Sequence, residues 1–464
     1  MPPEKCAYAL ARYSRSPDSI RQSLDWVRTH DSQKFLESFY FQYGHASIAD
    51  LGHVVMCFEE ISELAATEIE DEPLWDGQAK SSRYQNFSHT GFVTPPGLSE
   101  DDRERYCGVC EALLEAYELA HSRLTEHLAE KLPRPTTMKE DAYRRNIAAR
   151  AFDVARYLLF LGVPTNVGQV VSIRTLEKQI RRLKASEYEE LNEIAGEMAS
   201  ACAAPPGSAL EEGGSAEPVA PTLAQHVEID RHARASREAL ALWVRQNLPA
   251  PAGMDVPRVD LIRPTDTVAD IVATLLYPVT DRPFRELYDL ARSWPAALRS
   301  EVIGVALASR QRRDDLTRHF RSSPYVFDIV MDIGAYRDLH RHRRCHQFRQ
   351  NYSARLGFET PQLLVEAGLG AEYEFLMEGV RAVFEILPEP ASHYLLPLAT
   401  RSRFLFKMDF AEVEYIARVR SGVKGHFSYR QVAWELKQRV EEQEPDLGRL
   451  IDATPPWVED PLVR

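Results

Sequence analysis

A segment near the middle of the sequence sets the main limit on how the chain can fold. Residues 203–222 read AAPPGSALEEGGSAEPVAPT, a run dominated by Ala, Pro, Gly, Ser and Glu that contains no aromatic residue. Such a run buries too little apolar surface to offset the entropy that ordering would cost. We therefore predict a flexible linker here, which separates a first unit at residues 1–202 from a second unit at residues 223–464. Both units are long enough to form a core of their own.

The spacing of apolar residues predicts a helix-rich α+β fold with small mixed or antiparallel sheets. The clearest strand pattern places Phe327 and Ile329 on one face, with Asp328 and Asp332 on the other. Most other apolar residues recur at intervals of three and four, which is typical of helices. Predicted helices lie at residues 18–43, 47–69, 101–131, 144–161 and 176–203, and predicted strands lie at residues 259–262 and 325–333.

The charge balance and the apolar pattern exclude several classes of protein. There are 69 acidic residues against 56 basic ones, and the resulting net charge of −13 opposes general binding to nucleic-acid phosphates. No run of about 18 apolar residues predicts a membrane span, and the N-terminus lacks the pattern of a signal peptide. We therefore expect a cytoplasmic protein that binds neither nucleic acid nor membranes. Its six cysteines are too scattered to form a disulfide framework.

Arginine and histidine are densest at residues 337–344, directly after the predicted strand at 325–333. The four arginines of this run repel one another unless water, carboxylates or a bound anion offsets their charge. Guanidinium groups bind phosphate through planar, two-point hydrogen bonds. We therefore predict an anion site at Arg341–Arg344, with a network of structural ion pairs as the alternative. The histidines of this run have no acidic residue between them, and we predict no metal site.

A second candidate is the loop Ser81–Tyr84, which places two hydroxyls, a guanidinium and a phenol in four residues. Such a loop could orient a nucleobase and a phosphate together. An ordinary capped loop is the alternative interpretation of the same residues. The chain lacks the glycine-rich motifs of Rossmann and P-loop sites, so a nucleotide would be bound in another way.

These motifs resemble those of the flavin-dependent thymidylate synthase family, and they do so twice along the chain. In the first unit, Ala11–Ser14, Gly44–Ser47 and Ser81–Tyr84 are similar to family motifs. Asp71–Pro73 stands where the family has Arg-His-Arg. In the second unit, Arg341–Arg343 is the intact triplet.

Other positions extend the resemblance or depart from it. Ser172–Thr175 resembles the Asn-x-Arg-Glu segment of the family, and Arg430 sits where a nucleotide-binding arginine falls. Ser353–Arg355 follows the triplet after nine residues instead of seven, and Leu356 stands where the family has Tyr. Each unit is intact where the other has changed. The resemblance therefore implies a tandem duplication with one composite site built from both units.

The resemblance also implies roles for individual residues. Ser81 and Arg341–Arg343 are expected to act on the reacting groups, through orientation and positive charge rather than as nucleophiles. Flavin binding is implied for Ser47, His53, Arg341, His342 and Arg343. Nucleotide binding is implied for Ser81, Arg83, Tyr84, Arg174 and Arg430.

The implied reaction is FAD-dependent methylation of dUMP at C5 to dTMP, with methylenetetrahydrofolate and NADPH as co-substrates. A homodimer is expected, because two fused units would then recreate the four-unit assembly of the family. Two alternatives stay open at this point. The chain is a related flavin enzyme that acts on another pyrimidine nucleotide, or it is a degenerate nucleotide- or flavin-binding protein without catalysis.

Overall fold

Helices and two small β-sheets make up the computed structural model of the chain. It describes residues 1–30, 46–207, 217–222, 224, 227–311, 314 and 316–462. The chain forms two compact units, here called the first and the second unit, whose bounds differ from those of the two predicted units because each combines separate stretches of the chain. The first contains residues 1–61, 65–79 and 165–234, and the second contains residues 62–64, 80–164 and 235–464.

Helices outnumber strands in the part of the chain up to residue 203. In chain order, the elements are α1 (Pro3–Tyr13), α2 (Ile20–Thr29), β1 (His53–Ser62), α3 (Glu63–Glu70), β2 (Asp76–Ala79), α4 (Glu100–Lys131), α5 (Glu140–Ala155), β3 (Pro164–Ser172), α6 (Ile173–Lys184) and α7 (Glu189–Ala203).

The remaining part of the chain carries a larger sheet and more helices. Its elements are α8 (Arg231–Asn247), β4 (Val259–Ile262), α9 (Thr267–Leu276), α10 (Phe284–Ser293), α11 (Ala296–Leu307), β5 (Tyr325–Asp332), α12 (Ile333–Leu339), β6 (His346–Arg349), α13 (Gln362–Glu366), α14 (Gly370–Ile386), β7 (Arg401–Met408), α15 (Phe410–Arg420), α16 (Phe427–Gln443) and α17 (Pro445–Gly448). Within the described residues, every helix is too short or too polar to cross a membrane.

The two sheets repeat one topology. The first has the strand order β1-β3-β2, and the second has the order β4-β5-β7-β6. Without its edge strand β4, the second sheet therefore has the same order as the first. In each sheet the first strand of the repeat leads directly into a helix, α3 after β1 and α12 after β5. The predicted fold class, helix-rich α+β with tandem units and small antiparallel sheets, is confirmed.

The helix predicted at residues 47–69 is wrong. This segment forms a 3₁₀ turn at Ala46–Leu51, then strand β1, then α3. The buried residues Val54, Phe58 and Ile61 are four and three positions apart, which imitates helical spacing. The strand has this spacing because Glu60 adopts a left-handed φ of 59°, which interrupts the regular alternation of the two faces.

Three other predicted helices have different bounds. The helix predicted at 18–43 is observed as α2, Ile20–Thr29, and residues 31–43 of that prediction lie outside the described residues. The segment predicted at 144–161 is α-helical only as far as Ala155, at the end of α5, and a 3₁₀ turn follows at Arg156–Leu158. The segment predicted at 176–203 is divided into α6 and α7, because the chain leaves the helical conformation between Lys184 and Glu189. The long helix predicted at 101–131 is confirmed as α4.

The strand predicted at 325–333 is confirmed as β5, but its polar face does not meet solvent. Asp328 and Asp332 are fully buried. One face of the sheet, which carries Phe327, packs on α15 and α16. The other face, which carries Val326 and Leu405, packs on α8 to α11. Both faces therefore belong to the core, and the charges on the second face need partners inside the protein.

Lys407 on β7 is one of these buried charges. Its Nζ lies 2.7 Å and 2.9 Å from the two carboxylate oxygens of Asp270 and 3.0 Å from Oγ1 of Thr274. Asp270 and Thr274 lie on α9, and the side chains of Lys407 and Asp270 are inaccessible to solvent. This ion pair joins α9 to the centre of the sheet.

Both ends of the segment predicted as a linker pack within the first unit. The main-chain N–H groups of Val219 and Ala220 donate to the carbonyls of Ala204 and Cys202 at 3.0 Å and 2.9 Å. Ala220 is fully buried, and the Val219 carbonyl accepts from the N–H of Glu4. Residues 208–216 lie outside the described residues, so a flexible linker there stays a prediction.

We expect Lys407→Met to lower the free energy of unfolding by about 3–5 kcal/mol, because it leaves the Asp270 carboxylate buried without its counter-ion. The double variant Lys407→Met/Asp270→Leu should regain most of the loss. Urea unfolding measures both. Arg381→Met, which removes a cation from an exposed pair on α14, is the control and should change stability little. A double variant as unstable as the single one would contradict this account.

Candidate functional site

The Ser81–Tyr84 loop belongs to the second unit, and its arginine is bound by protein groups. Arg83 Nε and Nη2 lie 2.6 Å and 3.2 Å from the two carboxylate oxygens of Asp153. Arg83 Nη1 donates to the hydroxyl of Tyr429 at 3.0 Å, and Nη2 also donates to the carbonyl of Lys424. Asp153, on α5, is buried. The two-point pair therefore holds the loop against α5.

The charged state of Arg83 is stabilised by this pairing. Burial alone would lower the pKa of Arg83, but the adjoining Asp153 carboxylate raises it above its ordinary value. With Nε and both Nη atoms engaged, Arg83 acts as a structural cation. These contacts are the ones expected if Ser81–Tyr84 is an ordinary capped loop. They give no support to the predicted contact between Arg83 and a phosphate.

The serines of the loop make local and tertiary contacts. Ser81 Oγ accepts from the N–H of Arg83 at 3.3 Å, which closes the turn. Ser82 is buried, and its Oγ accepts from Arg337 Nη1 at 3.3 Å. Arg337, on α12, also pairs with buried Glu63 at 2.7 Å. Tyr84 is 53% exposed, so its phenol is accessible.

The Arg341–Arg343 triplet lies in the turn that follows α12. Arg341 and Arg343 are partly exposed, whereas His342 is buried. Arg420 Nε donates to His342 Nε2 at 2.7 Å, and His342 Nδ1 lies 3.5 Å from a Glu412 carboxylate oxygen. Burial is the main cause that lowers the pKa of His342, and Arg420 acts in the same direction. His342 is therefore an uncharged residue that fixes the turn between two accessible cations.

The loop and the triplet meet through shared neighbours. The Cζ atoms of Arg83 and Arg420 each lie 5.8 Å from the ring centre of Tyr429. Arg83 also donates to the Tyr429 hydroxyl, and Arg420 donates to His342. Segments that are far apart in sequence therefore converge in the second unit, with Tyr429 between them.

Asp338 provides a second connection. Burial by itself raises the pKa of Asp338, but the nearby Arg156, Arg83 and Arg341 are among the cations that lower it below its ordinary value. Arg156 Nη1 lies 3.1 Å from Asp338 and is itself buried. The loop and the triplet thus share one carboxylate. Buried ion pairs therefore adjoin the triplet, as the ion-pair alternative expects. The anion site at Arg341–Arg344 stays a prediction.

Arg430 lines a cavity of about 330 Å³ in the second unit, together with Arg150 and Asp153. Its guanidinium is bound to the backbone. Nε donates to the carbonyl of Ser421 at 2.9 Å, and Nη2 donates to the carbonyl of Val458 at 2.7 Å. Arg430 is buried. It therefore holds the C-terminal segment in place, and its predicted contact with a nucleotide stays a prediction.

The other predicted site residues belong to the first unit. Arg174, at the start of α6, pairs with Asp50 at 3.0 Å. Ser47 and His53 are exposed. Gly44 and His45, part of the same motif as Ser47, lie outside the described residues. The roles of Arg174, Ser47 and His53 stay predictions.

The acidic triplet of the first unit also has a structural partner. Arg182 on α6 lies 2.8 Å from the Glu72 carboxylate and 3.7 Å from that of Glu68. Asp71–Pro73 follows α3 as Arg341–Arg343 follows α12. The corresponding positions of the two repeats therefore carry opposite charge.

Sequence reasoning missed the carboxylates that support the site. Asp338 stands among the arginines of the run at residues 337–344, which the sequence analysis treated only as cations. Asp153 is a single acidic residue in a largely apolar helical segment, and such a residue is buried only when it is paired. That mismatch between charge and surroundings was the available signal. Their arginine partners are far away in the sequence, so only the fold identifies them. Tyr429 stands beside Arg430 in the sequence, but nothing in that local pattern places it against Arg83.

We expect Asp153→Asn to reduce the free energy of unfolding by about 3–5 kcal/mol, because Arg83 would keep its charge in a buried position without a carboxylate. Chemical denaturation measures the loss. Asp446→Asn removes a carboxylate from an exposed pair with Arg449 and should cost less than about 1 kcal/mol. Equal stability of Asp153→Asn and the wild type would show that Arg83 does not depend on Asp153.

A pH dependence follows from the buried, uncharged His342. Because the folded state holds its pKa below the ordinary 6.5, unfolding below that pH takes up a proton. Stability should therefore fall as pH decreases below about 6.5, by no more than ~1.4 kcal/mol per pH unit for this group. Urea midpoints at several pH values should show a shallower slope for His342→Gln. Substitution of the exposed His89 should leave the slope unchanged, and a wild-type slope in His342→Gln would refute the assignment.

Comparison with known proteins agrees with the repeated topology. The profile of the family described as thymidylate synthase complementing protein matches residues 1–205 and 296–446. A UPF0159 protein of Chlamydia muridarum is 26% identical over 447 residues, which cover 88% of this chain and 81% of that protein. A UPF0159 protein of Thermoplasma acidophilum is 24% identical over 487 residues, with 95% and 93% covered.

Among solved structures, thymidylate synthase X from Helicobacter pylori with FAD and dUMP has 15% identity and a TM-score of 0.28. That alignment covers 42% of this chain and 88% of the Helicobacter chain. The family profile matches more than half of this chain, in two segments that each contain strands of one of the repeated sheets. The chain therefore belongs to the thymidylate synthase complementing protein family.

Proposed function

We propose that this chain is a flavin-dependent enzyme that methylates dUMP at C5 to dTMP, with methylenetetrahydrofolate and NADPH as co-substrates. The observation that carries the proposal is the pair of accessible cations, Arg341 and Arg343, in the turn after α12 of a family member. Thymidylate synthase X from Helicobacter pylori holds FAD and dUMP in its crystal structure. Because this chain belongs to the thymidylate synthase complementing protein family, FAD is the proposed cofactor here.

The residues present fit the anionic part of FAD. Arg341 and Arg343 are partly exposed and Arg344 is exposed, so a diphosphate can reach their guanidinium groups. Arg156 does not fit this role. Two of its guanidinium nitrogens have no hydrogen-bond partner among the described residues, but the side chain is only 1% exposed, so a ligand cannot reach them.

The arginines and the histidine of the triplet have different proposed tasks. Arg341 and Arg343 hold the cofactor phosphates and place positive charge where negative charge develops on the ring systems. His342, between Arg420 and Glu412, keeps the turn in one conformation. When bound, the flavin supplies the hydride chemistry, and the chain supplies binding, orientation and charge.

The proposed nucleotide contacts differ in part from those that the family resemblance implies. Ser81 and the accessible Tyr84 are the proposed contacts from the loop, while Arg83 is a positioning residue that acts through Asp153. We further propose Ser47 and His53 as flavin contacts, Arg174 and Arg430 as nucleotide contacts, and a homodimer as the assembled form.

A second candidate function is a nucleotide- or flavin-binding protein without catalysis. The specific observation in its favour is that both arginines already donate to protein groups. Arg83 donates to the Asp153 carboxylate, and Arg430 donates to backbone carbonyls. Asp71–Pro73 would also repel anionic ligands from the corresponding position of the first repeat. A protein that retains the fold but not the reaction would have such features.

Purified full-length protein separates the two functions. We expect a flavin absorbance spectrum, NADPH oxidation that dUMP stimulates, and dTMP formation when methylenetetrahydrofolate is present. Bound flavin without dTMP formation from dUMP would favour the non-catalytic function or another pyrimidine nucleotide, and a screen of pyrimidine nucleotides decides between these. Protein that neither retains nor binds FAD would refute the proposal.

Arg343→Ala should weaken FAD binding by about 1–3 kcal/mol, because it removes a charge-assisted hydrogen bond to an anionic ligand. Flavin release followed by fluorescence measures the change. Arg381→Ala, on an exposed face of α14, is the matched control and should retain wild-type affinity. Unchanged FAD affinity in Arg343→Ala would remove the triplet from the flavin site.

A further inference from the structure

The helix α14 is apolar on two opposite faces, and only one of them is needed by the core of the second unit. Its inward face carries Tyr373, Met377 and Val380, which are buried, and the helix packs against α4. A helix that covers a core on one side normally presents polar residues on the other side. The outward face of α14 departs from this pattern.

Four residues form an apolar stripe along the outward face. Phe375 is 83% exposed and Ile386 is 60% exposed, and the exposed residues Gly379 and Ala382 lie between them. Intervals of four, three and four residues place all of them on one side of the helix. We call these four residues the α14 stripe. Two large apolar side chains with so little cover on one helix face are typical of an interaction surface.

The glycine of the stripe is not explained by contacts within the chain. Gly379 lies inside a helix, where glycine is less favourable than alanine. Apart from the adjoining backbone of its own helix, no atom lies within 4 Å of the position that a Cβ of residue 379 would take. Close approach of a second helix would account for the missing side chain, because the side chains at a contact set the distance between helix axes.

The order of residues in the α14 stripe favours a second copy of this chain as its partner. In either direction along the helix, the stripe has a large residue, two small residues and a large residue. An antiparallel pair of α14 helices can share a two-fold axis midway between Gly379 and Ala382. Phe375 then faces Ile386 of the second copy, and the small residues face each other across the contact. A two-fold contact needs such self-complementarity, whereas an unrelated partner does not.

The helices beside α14 add exposed apolar residues. Both α4 and α13 pack against α14. Leu119 on α4 is 52% exposed, and Val365 on α13 is 48% exposed. A stable interface buries about 800 Å² on each partner, which is more than one pair of short helices supplies. A surface spread over three helices comes closer to this requirement than α14 alone.

Charged residues border the stripe on one flank. Arg381 pairs there with Glu378 and Glu385, and all three side chains are exposed. Exposed pairs of this kind contribute little, so burial of apolar surface is the driving force of the contact. Because the carboxylates outnumber the arginine, the flanks of two copies repel each other, and salt screens that repulsion. The contact should therefore tighten as the salt concentration rises, whereas a contact held by ion pairs would weaken.

We propose that the α14 stripe is the contact face of a homodimer, in which the α14 helices of two copies pack antiparallel through Gly379 and Ala382. This contact face presupposes the homodimer of the proposed function but not its reaction. None of the residues proposed for the flavin or for dUMP lies on α14. Association and catalysis can therefore be tested separately.

Sedimentation velocity of the full-length protein over a range of concentrations tests the proposal, and we expect a reversible dimer. Gly379→Glu should weaken the dimer by more than about 10-fold, because each dimer would bury two carboxylates without partners. Phe375→Ser should also weaken it, through lost apolar burial. Both variants should keep the circular dichroism spectrum of the wild type, because both positions are open to solvent in the single chain.

Gly304→Glu is the matched control, because Gly304 on α11 is also exposed and has open space around it, but no large exposed apolar residue lies on that helix. This variant should dimerise like the wild type. A monomer at every concentration would overturn both the contact face and the homodimer. A dimer that withstands both α14 substitutions, that Gly304→Glu weakens equally, or that salt weakens would overturn the contact face alone. Failure to bind FAD or to form dTMP would refute the proposed enzyme but not this contact.

Discussion

Buried charge has to be neutralised, and the second unit is organised around the pairs that do so. The face of the sheet that carries Asp328, Arg403 and Lys407 is covered by helices rather than by water. Lys407 pairs with Asp270, and Arg403 pairs with Asp328. Because an uncompensated buried charge costs more than most packing changes, the Lys407–Asp270 pair holds α9 on the sheet, whereas the Arg403–Asp328 pair joins β7 to β5.

The same constraint determines what the predicted site residues can do. Arg83 belongs to a motif that suggests ligand binding, but its position beside buried Asp153 makes it part of the protein interior. Arg341 and Arg343 lie in the turn after α12, where both side chains stay partly exposed. The inner arginines are therefore buried in ion pairs, whereas Arg341 and Arg343 stay partly exposed.

The two repeats use one topology for opposite electrostatics. After α3, the first repeat has Asp71–Pro73, and Glu72 pairs with Arg182. After α12, the second repeat has Arg341–Arg343. The backbone order of the sheet is the same in both, so the difference comes from side-chain charge and not from fold. After duplication, one copy can carry a structural ion pair at these positions while the other carries partly exposed cations there.

The order of amino acids is enough to predict the fold class, the long helix α4, the strand β5, and the two segments that carry the family motifs, because these depend on local periodicity and on short runs of residues. It misassigned β1, where the left-handed Glu60 gives a strand the apolar spacing of a helix. The sequence also places Asp328 and Asp332 on one face of β5 without showing what covers that face. Only the contacts of the folded chain show that helices bury this face and that Asp153 neutralises Arg83. Ion pairing and cavity formation join residues that are distant in the chain, and no local pattern encodes which distant partner will supply the opposite charge.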